Sequence, residues 1–330
     1  MNQTEPSNKT PSSGRYPLIS VVMAVYRPNP VWLREQLASI ERQDYPNLEL
    51  LILDDCSGEE YVRRTKESIA EEIHQIPCSF GVNEHNLGST KTFEELTLRA
   101  NGQYIAYCDQ DDIWLPQKLT RLHRQIEEAQ ADLMFSDMFV IDGDGILLSD
   151  SMTKVRKRHV FPDVENASGI LLYHNFVVGC TMLMRSETAK KSVPFIDCMV
   201  HDHYLALYAA VNGKLSFCNE PLIRYRMHGG NQTGVLAGVG DKASYYINRV
   251  ALFDERIRAI AERFSFPALK EAMSWNNARL AFFKREPHAR VRYWRQRATD
   301  FRTTLFELVC WNLPERLFEK VLSLIQRNKI

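Results

Sequence analysis

Clustered carboxylates follow one short apolar run in this chain of 330 residues. The run is Tyr104–Tyr107, and Asp109, Asp111 and Asp112 come just after it. Like charges at the edge of a core repel one another and lose part of their solvation, which is costly unless a cation offsets the repulsion. Mg²⁺ and Mn²⁺ bind one or two carboxylates and fill their remaining positions with phosphate oxygens and water. The cluster therefore predicts a metal–diphosphate site, although an acidic loop after a strand would show the same residue types.

The elements that must position these carboxylates are an alternation of strands and helices. Continuous apolar runs predict strands covered on both faces, and helix-spaced apolar residues predict a helix after each strand. The predicted strands cover residues 18–26, 47–53, 78–82 and 104–108. The predicted helices cover residues 32–40, 61–75, 89–100 and 116–129, the last with Pro116 in its first turn. This alternation predicts right-handed crossovers and an α/β fold, with a mostly parallel central sheet flanked by helices.

The rest of the chain adds shorter strands and a helical end. Strands are predicted at residues 132–137, 177–184 and 214–218, with a helix at 201–211. The segment Asp142–Gly145 lacks the further acids and closing Glu of an EF-hand, so it predicts a turn between two strands. Beyond residue 240 the pattern is helical, and Pro314 should divide its last part into two helices. We therefore expect a disordered tail over residues 1–16, an α/β domain over 17–240 and a helical C-terminal extension over 241–330.

Composition restricts the class of protein. Basic and acidic residues both number 41, so the formal net charge is zero and a nucleic-acid partner is not expected. The seven cysteines are dispersed without a CxxC pair, which predicts reduced thiols and a cytoplasmic location. No signal peptide is visible, and no apolar stretch reaches the ~18 residues that would span a bilayer.

Polar side chains stand at the carboxyl ends of three predicted strands. Tyr26 follows the first, Asp54 and Asp55 end the second, and the Asp109–Asp112 cluster follows the fourth. Ligands of parallel α/β sheets bind outside the carboxyl ends of the strands. We therefore expect these side chains to face one ligand site.

With these residues placed, the chain resembles the family 2 inverting glycosyltransferases of the GT-A fold. Within that family it is most similar to bacterial rhamnosyltransferases of surface-polysaccharide assembly. The matching segments stand in the family's order between about residues 17 and 234, and no segment beyond them matches. They are Ser20–Tyr26, Leu53–Ser57, Asn86–Gly88, Cys108–Leu119, Gly179–Met182, His201–Tyr204 and Tyr225–Asn231.

The resemblance implies roles at a nucleotide site. Asp55 matches the aspartate that reads the pyrimidine base, and the Tyr26 region would stack near that base. Asn86, Gly88 and Lys91 match the segment beside the ribose and diphosphate. A solvated helix charge is the plain alternative for Lys91, because lysines commonly stand on exposed helix faces.

The resemblance also implies a metal site for Mg²⁺ or Mn²⁺. Asp109 and Asp111 match the pair that binds nucleotide and metal, with Asp111 as the direct ligand and Asp112 behind it. His228 matches a position near the metal or diphosphate, although a lone histidine is commonly structural. Trp114 is expected in the core, with the wall of a sugar pocket as the alternative.

Asp202 matches the catalytic base, which would deprotonate an acceptor hydroxyl during an inverting transfer. An aspartate that opens a helix is also a good cap, so both interpretations stay open. His201 and His203 beside it belong to an acceptor pocket or to the core. Arg224 and Arg226 either pair with phosphate oxygens or are surface charges.

Two further positions carry expectations. Asp54 is expected to cap the turn after the second strand, which leaves Asp55 for the base. Cys56 stands where the family usually has glycine, so we expect a local adjustment of that turn.

The implied activity is metal-dependent transfer of a sugar from a nucleotide-diphosphate donor, dTDP-rhamnose by resemblance, to a saccharide or lipid-linked saccharide acceptor. A nucleotidyltransferase would carry a Gly-rich basic signature near the first strand, and residues 24–34 have none. An inactive nucleotide-sugar binder is the other alternative, and Asp202 with the intact acidic cluster argues against it.

The C-terminal segment 300–330 combines an apolar stripe with interspersed basic residues. Such a stripe can lie on the anionic inner face of the plasma membrane, pack on the α/β core, or contact a second subunit in a homo-oligomer. The sequence leaves these three interpretations open.

Overall fold

The computed structural model describes residues 16–155, 161, 164, 167–229 and 238–326. The predicted tail, apart from Tyr16, lies outside these residues, as do residues 327–330 and the end of the motif that begins at Tyr225. No helix within the described ranges has the length and apolarity needed to cross a membrane.

Nine strands of the described chain form one sheet. They are β1 (Ile19–Val25), β2 (Leu48–Asp54), β3 (Cys78–Val82), β4 (Tyr104–Cys108), β5 (Ile113–Trp114), β6 (Leu133–Ile141), β7 (Leu147–Ser149), β8 (Met182–Arg185) and β9 (Leu215–Arg226). Their order is β3-β2-β1-β4-β8-β6-β9-β5, with β7 paired to β6 outside this path. The first four in this order are parallel, β8 is antiparallel to β4 and β6, and β5 and β7 are antiparallel to β9 and β6. Because β9 is parallel to β6, all strands except β5, β7 and β8 run in one direction. The sheet is therefore mixed, and the expected α/β class is confirmed.

The described helices alternate with the strands and then continue alone. They are α1 (Pro30–Glu41), α2 (Glu59–Glu72), α3 (Ser89–Arg99), α4 (Lys118–Glu128), α5 (Met152–Val155), α6 (Ala167–Leu171), α7 (Ser186–Lys191), α8 (His201–Asn212), α9 (Lys242–Tyr245), α10 (Leu252–Arg263), α11 (Pro267–Phe283), α12 (Ala289–Arg295), α13 (Phe301–Cys310) and α14 (Glu315–Gln326). A π-helical turn, Tyr246–Ala251, joins α9 to α10. The expected helices after β1, β2 and β3 and the division at Pro314 are confirmed. The helix after the acidic loop begins at Lys118 instead of Pro116, because the Lys118 N–H first closes a turn on the Leu115 carbonyl (3.0 Å).

The strand predicted at residues 177–184 is only partly correct. Gly179–Thr181 is a 3₁₀ turn, and the strand is Met182–Arg185. The N–H and the hydroxyl of Thr181 both donate to the Val178 carbonyl, at 2.9 and 2.7 Å. These local bonds close a turn, and a buried turn shows the same continuous apolar run as a buried strand.

The strand predicted at residues 214–218 is longer than expected. β9 continues through Pro221 to Arg226. Its pairing with β6 shifts register between Ser136 and Asp137, opposite Pro221. Proline is tolerated in a strand at such an irregularity because its missing N–H is not needed there. The Asp142–Gly145 segment forms the predicted turn between β6 and β7, with Asp142 Oδ1 accepting the N–H groups of Asp144 and Ile146 (3.0 and 2.9 Å).

The chain divides into two compact units. The first comprises Met1–Phe161, Val177–Pro194 and Gly213–Arg226, and the second comprises Pro162–Phe176, Phe195–Asn212 and Met227–Ile330. All nine described strands belong to the first unit, whereas α6, α8 and the helices after residue 240 belong to the second. These units do not follow the division at residue 240. A compact unit is defined by contacts and a domain by independent folding, so the 17–240 and 241–330 domains stay a prediction.

The second unit has its own buried core. Tyr245, Phe318 and Leu322 pack together in it. A buried ion pair joins Arg279 to Glu307, and the hydroxyl of Tyr245 donates to Glu307 (2.8 Å). These partners satisfy the Glu307 carboxylate, which would otherwise be a costly buried charge.

Candidate active site

The carboxyl ends of β1, β2 and β4 lie side by side. Val25 pairs with Asp54 and Met23 pairs with Cys108, so the registers bring the three strand ends to one edge. The N–H of Asp55 extends this ladder by donating to the Val25 carbonyl (2.8 Å). The edge therefore carries the residues after β1 and β2 and the acidic loop after β4, as the sequence predicted.

Asp55 holds the loop that precedes α3. Its Oδ1 accepts from the Leu87 N–H and the Asn83 side chain, both at 2.8 Å, and its Oδ2 accepts from the Gly88 N–H at 2.8 Å. The Asn86 side chain donates to the Asp55 carbonyl at 3.0 Å. Asp55 is buried. In this conformation its carboxylate positions the loop, and direct contact with a base stays a prediction.

Asp54 caps the turn after β2. Its Oδ1 accepts the Ser57 N–H (2.7 Å), and the Ser57 hydroxyl accepts the Arg27 N–H (2.8 Å), which ties the loops after β1 and β2 together. Cys56 lies in this turn at φ 62°. A side chain in that left-handed region costs about 1 kcal/mol, and glycine avoids this cost. The expected adjustment at Cys56 is therefore a strained left-handed residue.

The N-terminus of α3 is the second polar feature of this edge. Gly88 precedes the helix at φ 82°, and no atom lies within 4 Å of a Cβ built there. A side chain at this position would fit sterically, but the left-handed backbone conformation favours glycine. The cap position of α3 is Gly88, which has no side chain to cap the helix, and helix N-termini attract phosphate. Lys91 lies in the first turn with its Nζ 3.3 Å from a Glu94 carboxylate oxygen. A role for Lys91 beside the diphosphate stays a prediction.

Gln110 joins the acidic loop to the end of β1. The Tyr26 N–H donates to Gln110 Oε1 (2.9 Å), and Gln110 Nε2 donates to the Tyr26 carbonyl (3.2 Å). The Tyr26 ring is exposed, with the Arg27 guanidinium 5.1 Å from its centroid. The backbone of Tyr26 is therefore fixed while its ring faces solvent, where a base could stack.

Arg226 holds the other end of the acidic loop. Its N–H donates to Asp112 Oδ1 (2.9 Å), its Nε donates to the Asp111 carbonyl (2.9 Å), and its guanidinium also reaches the Gly143 carbonyl (3.0 Å) and Glu35 (2.5 Å). The side chain is 1 % exposed. The surface-charge interpretation of Arg226 is therefore wrong, and phosphate pairing by Arg226 stays a prediction. The guanidinium is a buried clamp between β9, the acidic loop and α1.

Arg224 has a different environment, two residues earlier on β9. It is exposed and lines a cleft of about 480 Å³ beside α1, together with Arg34, Arg42 and Ile113. This cleft lies at the β5 edge of the sheet, since Arg224 pairs with Ile113. Phosphate binding by Arg224 stays a prediction.

Asp109, Asp112 and Cys180 meet behind the acidic loop. Their ligand atoms all lie within 4.8 Å of one another. Asp112 is fully buried, and its Oδ2 has no hydrogen-bond partner. Burial, and then the charge of Asp111, raise the pKa of Asp112 to about 7. An unsatisfied buried carboxylate oxygen beside a second carboxylate fits a divalent cation, which would supply the missing charge.

The donor set identifies which atoms would hold such a cation. Burial raises the pKa of the Cys180 thiol well above its usual value, so the sulfur is not a thiolate. A hard cation would therefore be held through the carboxylates. The structure brings Asp109 together with Asp112. A direct ligand role for Asp111 stays a prediction.

A buried lysine, Lys118, lies next to this cluster. Lys118 Nζ donates to the Cys180 carbonyl (2.7 Å) and lies 3.0 Å from the centroid of the Trp114 ring. Burial lowers the pKa of Lys118 to about 7, and nearby acidic groups including Asp112 partly offset that effect. Trp114 is buried, so the core interpretation of this residue is confirmed.

Asp202 lies in the first turn of α8, in the second unit. The Val200 carbonyl accepts the Tyr204 N–H (3.1 Å), which makes Val200 the capping position of the helix. Asp202 is therefore not at the capping position, although its carboxylate accepts a first-turn N–H. Its Oδ1 accepts from the Asn175 side chain (3.0 Å) and from the His203 N–H (2.6 Å). The base role of Asp202 stays a prediction.

The two histidines beside Asp202 are buried. Burial lowers the pKa of His201 and of His203 to about 3. A ring nitrogen of His203 contacts the Leu171 carbonyl (2.5 Å), which assigns the proton of the neutral ring to Nε2. Their burial favours the structural reading over an open acceptor pocket. His228 lies in the second unit, two residues after β9, and its ligand role stays a prediction.

Some site residues had no assigned role in the sequence. Gln110 and Cys180 gave no such signal because their partners are distant in sequence. Tyr26 lies 84 residues from Gln110, and Lys118 lies 62 residues from Cys180. Lys118 did give one, because it stands four residues before Leu122 and eight before Ile126, on the apolar face of α4. A lysine on such a face indicates a buried partner.

Known proteins resemble this chain in sequence and in fold. The Glycosyl transferase family 2 profile matches residues 20–191. The dTDP-rhamnosyl transferase RfbG of Shigella flexneri is 27% identical over 238 residues, covering 68% of this chain and 76% of that protein. The structure of S. aureus TarS 1-349 with UDP-GlcNAc is similar with a TM-score of 0.56 at 17% identity, covering 94% of this chain and 87% of TarS 1-349. Mannosyltransferase PcManGT of Pyrobaculum calidifontis, solved with GDP-Man and Mn²⁺, gives a TM-score of 0.52 at 15% identity, covering 94% of this chain and 92% of that one.

The mixed sheet, its flanking helices and these structural neighbours define a GT-A nucleotide-diphospho-sugar transferase fold. The family profile covers more than half of the chain. The chain belongs to Glycosyl transferase family 2 and is a glycosyltransferase.

Proposed function

We propose that the chain is a metal-dependent inverting glycosyltransferase of cell-surface polysaccharide synthesis. It would move a sugar from a nucleoside-diphosphate donor to a saccharide or lipid-linked saccharide acceptor. The observation that carries the proposal is the edge where β1, β2 and β4 end. That edge combines an exposed aromatic ring, a helix N-terminus that begins after a glycine and a pair of adjacent carboxylates.

The proposed donor is dTDP-rhamnose. The Tyr26 ring would stack on the base, and the loop held by Asp55 would place Asn86 and Gly88 beside the ribose and diphosphate. The name of RfbG, a dTDP-rhamnosyl transferase, supports this donor. The UDP-GlcNAc bound to TarS supports a pyrimidine base.

The proposed cofactor is Mg²⁺ or Mn²⁺, held by Asp109 with Asp111 or Asp112, and His228 would lie near it. The Mn²⁺ in the PcManGT structure supports a divalent ion. When bound, the ion would stabilise the negative charge on the departing diphosphate. Arg226 and Gln110 position the acidic loop through its backbone and Asp112, so the carboxylates need little reorganisation to bind.

Asp202 is the proposed general base. Its carboxylate would take the proton of an acceptor hydroxyl as that oxygen attacks the anomeric carbon opposite the diphosphate, which inverts the configuration. A cytoplasmic enzyme on the inner face of the plasma membrane would have access to both a nucleotide sugar and a lipid-linked acceptor.

Thermal stabilisation by nucleoside diphosphates, with and without Mn²⁺, tests the donor and metal together. We expect dTDP and UDP to raise the melting temperature more than GDP and ADP, and only when Mn²⁺ is present. Asp111→Ala should lose the Mn²⁺-dependent stabilisation and the transferase activity while staying folded. Asp144→Ala, an exposed turn residue, is the matched control and should behave as wild type.

Two results would refute the proposal. Full activity with dTDP-rhamnose in excess EDTA would exclude the metal. Equal stabilisation by purine and pyrimidine diphosphates would exclude the proposed reading of the base.

A further inference from the structure

Five apolar side chains are exposed on α12 and α13. Val291 is 53 % exposed, Trp294 40 %, Phe301 51 %, Leu305 41 % and Val309 56 %. Phe301, Leu305 and Val309 are four residues apart, so they lie on one side of α13. The Trp294 and Phe301 rings have centroids 6.4 Å apart and join the two helices. These five residues form what we call the α12–α13 face.

The other side of α13 is buried inside the second unit. Thr304, Glu307 and Leu308 are buried. The Trp275 Nε1–H donates to the Thr304 hydroxyl (2.9 Å), and the Tyr293 hydroxyl donates to Glu307 (2.6 Å). The fold therefore anchors α13 through its inner side. The α12–α13 face is not needed for that anchoring, and a large exposed apolar surface marks an interaction site.

Arginines surround this face. The segment 284–309 contains seven basic and three acidic residues. Its acids have internal or local partners, since Glu307 is buried against Arg279, Asp300 caps α13 through the Thr303 N–H (3.0 Å), and Glu286 pairs with Arg292 (2.8 Å). The charge that faces solvent is therefore strongly positive.

Three exposed arginines lie near these apolar side chains: Arg295 and Arg302 directly follow Trp294 and Phe301 in sequence, and Arg297 lies between them. The Arg297 guanidinium lies 4.5 Å from the centroid of the Trp294 ring. Arg295 and Arg302 are exposed. Within the described residues, neither of them forms an ion pair. Arginine stacked on an exposed tryptophan beside aliphatic side chains is the composition of an interfacial membrane contact.

From this combination we infer that the α12–α13 face binds the surface of an anionic lipid bilayer. A bilayer offers negative headgroups to Arg295, Arg297 and Arg302 and an apolar layer to Trp294 and Phe301 in the same contact. A two-fold dimer through this face would instead bring the arginine-rich surfaces of two copies together, which is unfavourable. The structure thus moves the membrane interpretation from segment 300–330 to residues 291–309, because Phe318 and Leu322 of α14 are buried.

Membrane binding through this face would bring the enzyme to a lipid-linked acceptor. Only this connection to the acceptor rests on the proposed function, and the membrane contact itself does not. Vesicle binding without any nucleotide sugar tests the surface alone. Activity on a soluble saccharide acceptor tests the transferase alone, so failure of one is distinguishable from failure of the other.

The experiment is co-sedimentation of the full chain with vesicles of phosphatidylcholine alone and of phosphatidylcholine mixed with phosphatidylglycerol. We expect binding to the mixed vesicles, much weaker binding to the neutral ones, and a further decrease at high salt. Arg295→Glu with Arg302→Glu should reduce binding to the mixed vesicles by about tenfold or more. Trp294→Ser with Phe301→Ser should reduce it comparably, because the apolar contact is lost.

Matched controls lie on other exposed helix surfaces. Leu317→Ser with Leu324→Ser changes two exposed apolar residues of α14, and Arg121→Glu with Arg124→Glu changes two basic residues of α4. Both controls should bind vesicles as wild type, and circular dichroism checks that every variant is folded. Equal binding to neutral and mixed vesicles, or unchanged binding of both α12–α13 variants, would overturn the inference. A concentration-dependent dimer that only these variants lose would assign the face to a second copy instead.

Discussion

At the residue scale, the Asp55 carboxylate holds the loop before α3 and is also the proposed contact for the base. Its two oxygens already accept three N–H groups from Asn83, Leu87 and Gly88. A carboxylate offers about four acceptor positions, so one position remains for a further donor such as a pyrimidine N3–H. The residue can therefore hold the loop before α3 and read a base only if that last position becomes accessible.

Asp55→Ala should lower the free energy of unfolding by about 2–4 kcal/mol, because three donors lose their acceptor. Urea unfolding measures this change, and Asp144→Ala should alter stability by less than about 0.5 kcal/mol. Nucleoside-diphosphate binding should also weaken by about 1–3 kcal/mol. Loss of pyrimidine binding with no loss of stability would contradict the loop-anchoring role.

Cys56 gives a prediction of the opposite sign. Its φ of 62° is strained for a residue with a Cβ, and glycine relieves the strain. Cys56→Gly should raise the free energy of unfolding by up to about 1 kcal/mol, since the relief exceeds the extra entropy of glycine in the unfolded chain.

Cys56→Ala is the matched control for this prediction, because it removes the thiol and keeps the Cβ. The control should not be stabilised in the same urea titration. A stabilisation shared by both variants would show that the thiol, and not the backbone, is responsible.

At the scale of elements, α8 carries the proposed base in its first turn. Asp202 is not the cap of this helix, so its replacement by asparagine should leave the helix intact. Asn175 donates to Asp202 Oδ1 (3.0 Å), and an amide oxygen can still accept that bond. Asparagine therefore keeps the shape of the side chain and removes its ability to take a proton.

Asp202→Asn should reduce turnover by ~10²–10⁴-fold, the usual weight of general-base catalysis. Nucleotide and Mn²⁺ binding should be nearly unchanged, because the base serves the acceptor. Initial rates with a labelled donor, together with the melting temperature with dTDP and Mn²⁺, check the two halves of the prediction. Normal turnover of this variant would refute the base role of Asp202, and Asp197 would be the next candidate.

At the scale of the whole molecule, buried histidines link folding to pH. Burial lowers the pKa of His203 to about 3, whereas an unfolded histidine has a pKa of about 6.5. Between these values the unfolded chain binds a proton that the folded chain does not. The contribution of His203 is therefore fully present above about pH 6.5 and is lost as the pH falls towards 3.

His203→Gln should flatten the acid loss of stability by up to about 1.4 kcal/mol per pH unit between pH 6.5 and 3. Glutamine keeps an N–H donor for the Leu171 carbonyl without a titrating ring. Urea midpoints at neutral pH and at about pH 5 measure the slope, and His85→Gln, at an exposed site, is the control. A variant whose slope equals that of wild type would refute the assignment.

Much of the first unit followed from sequence because its signals are local. β1, β2 and β4 are continuous apolar runs, and parallel strands joined by crossovers place their carboxyl ends on one edge. The positions of Tyr26, Asp55 and the acidic loop at that edge were therefore predictable. The turn at Gly179–Thr181 was not, because a buried turn and a buried strand share the same apolar pattern.

Only the tertiary structure decided what the long-range side chains do. Arg226 lies 114 residues from Asp112 and 191 from Glu35 in sequence, and it becomes a buried clamp because β9 packs beside the acidic loop. Asp109 and Asp112 meet Cys180, which comes from a distant part of the chain, and α8 groups with the C-terminal helices through contacts that no local pattern encodes. Sequence periodicity reports which face of an element is buried, and it carries no information on which distant element covers that face.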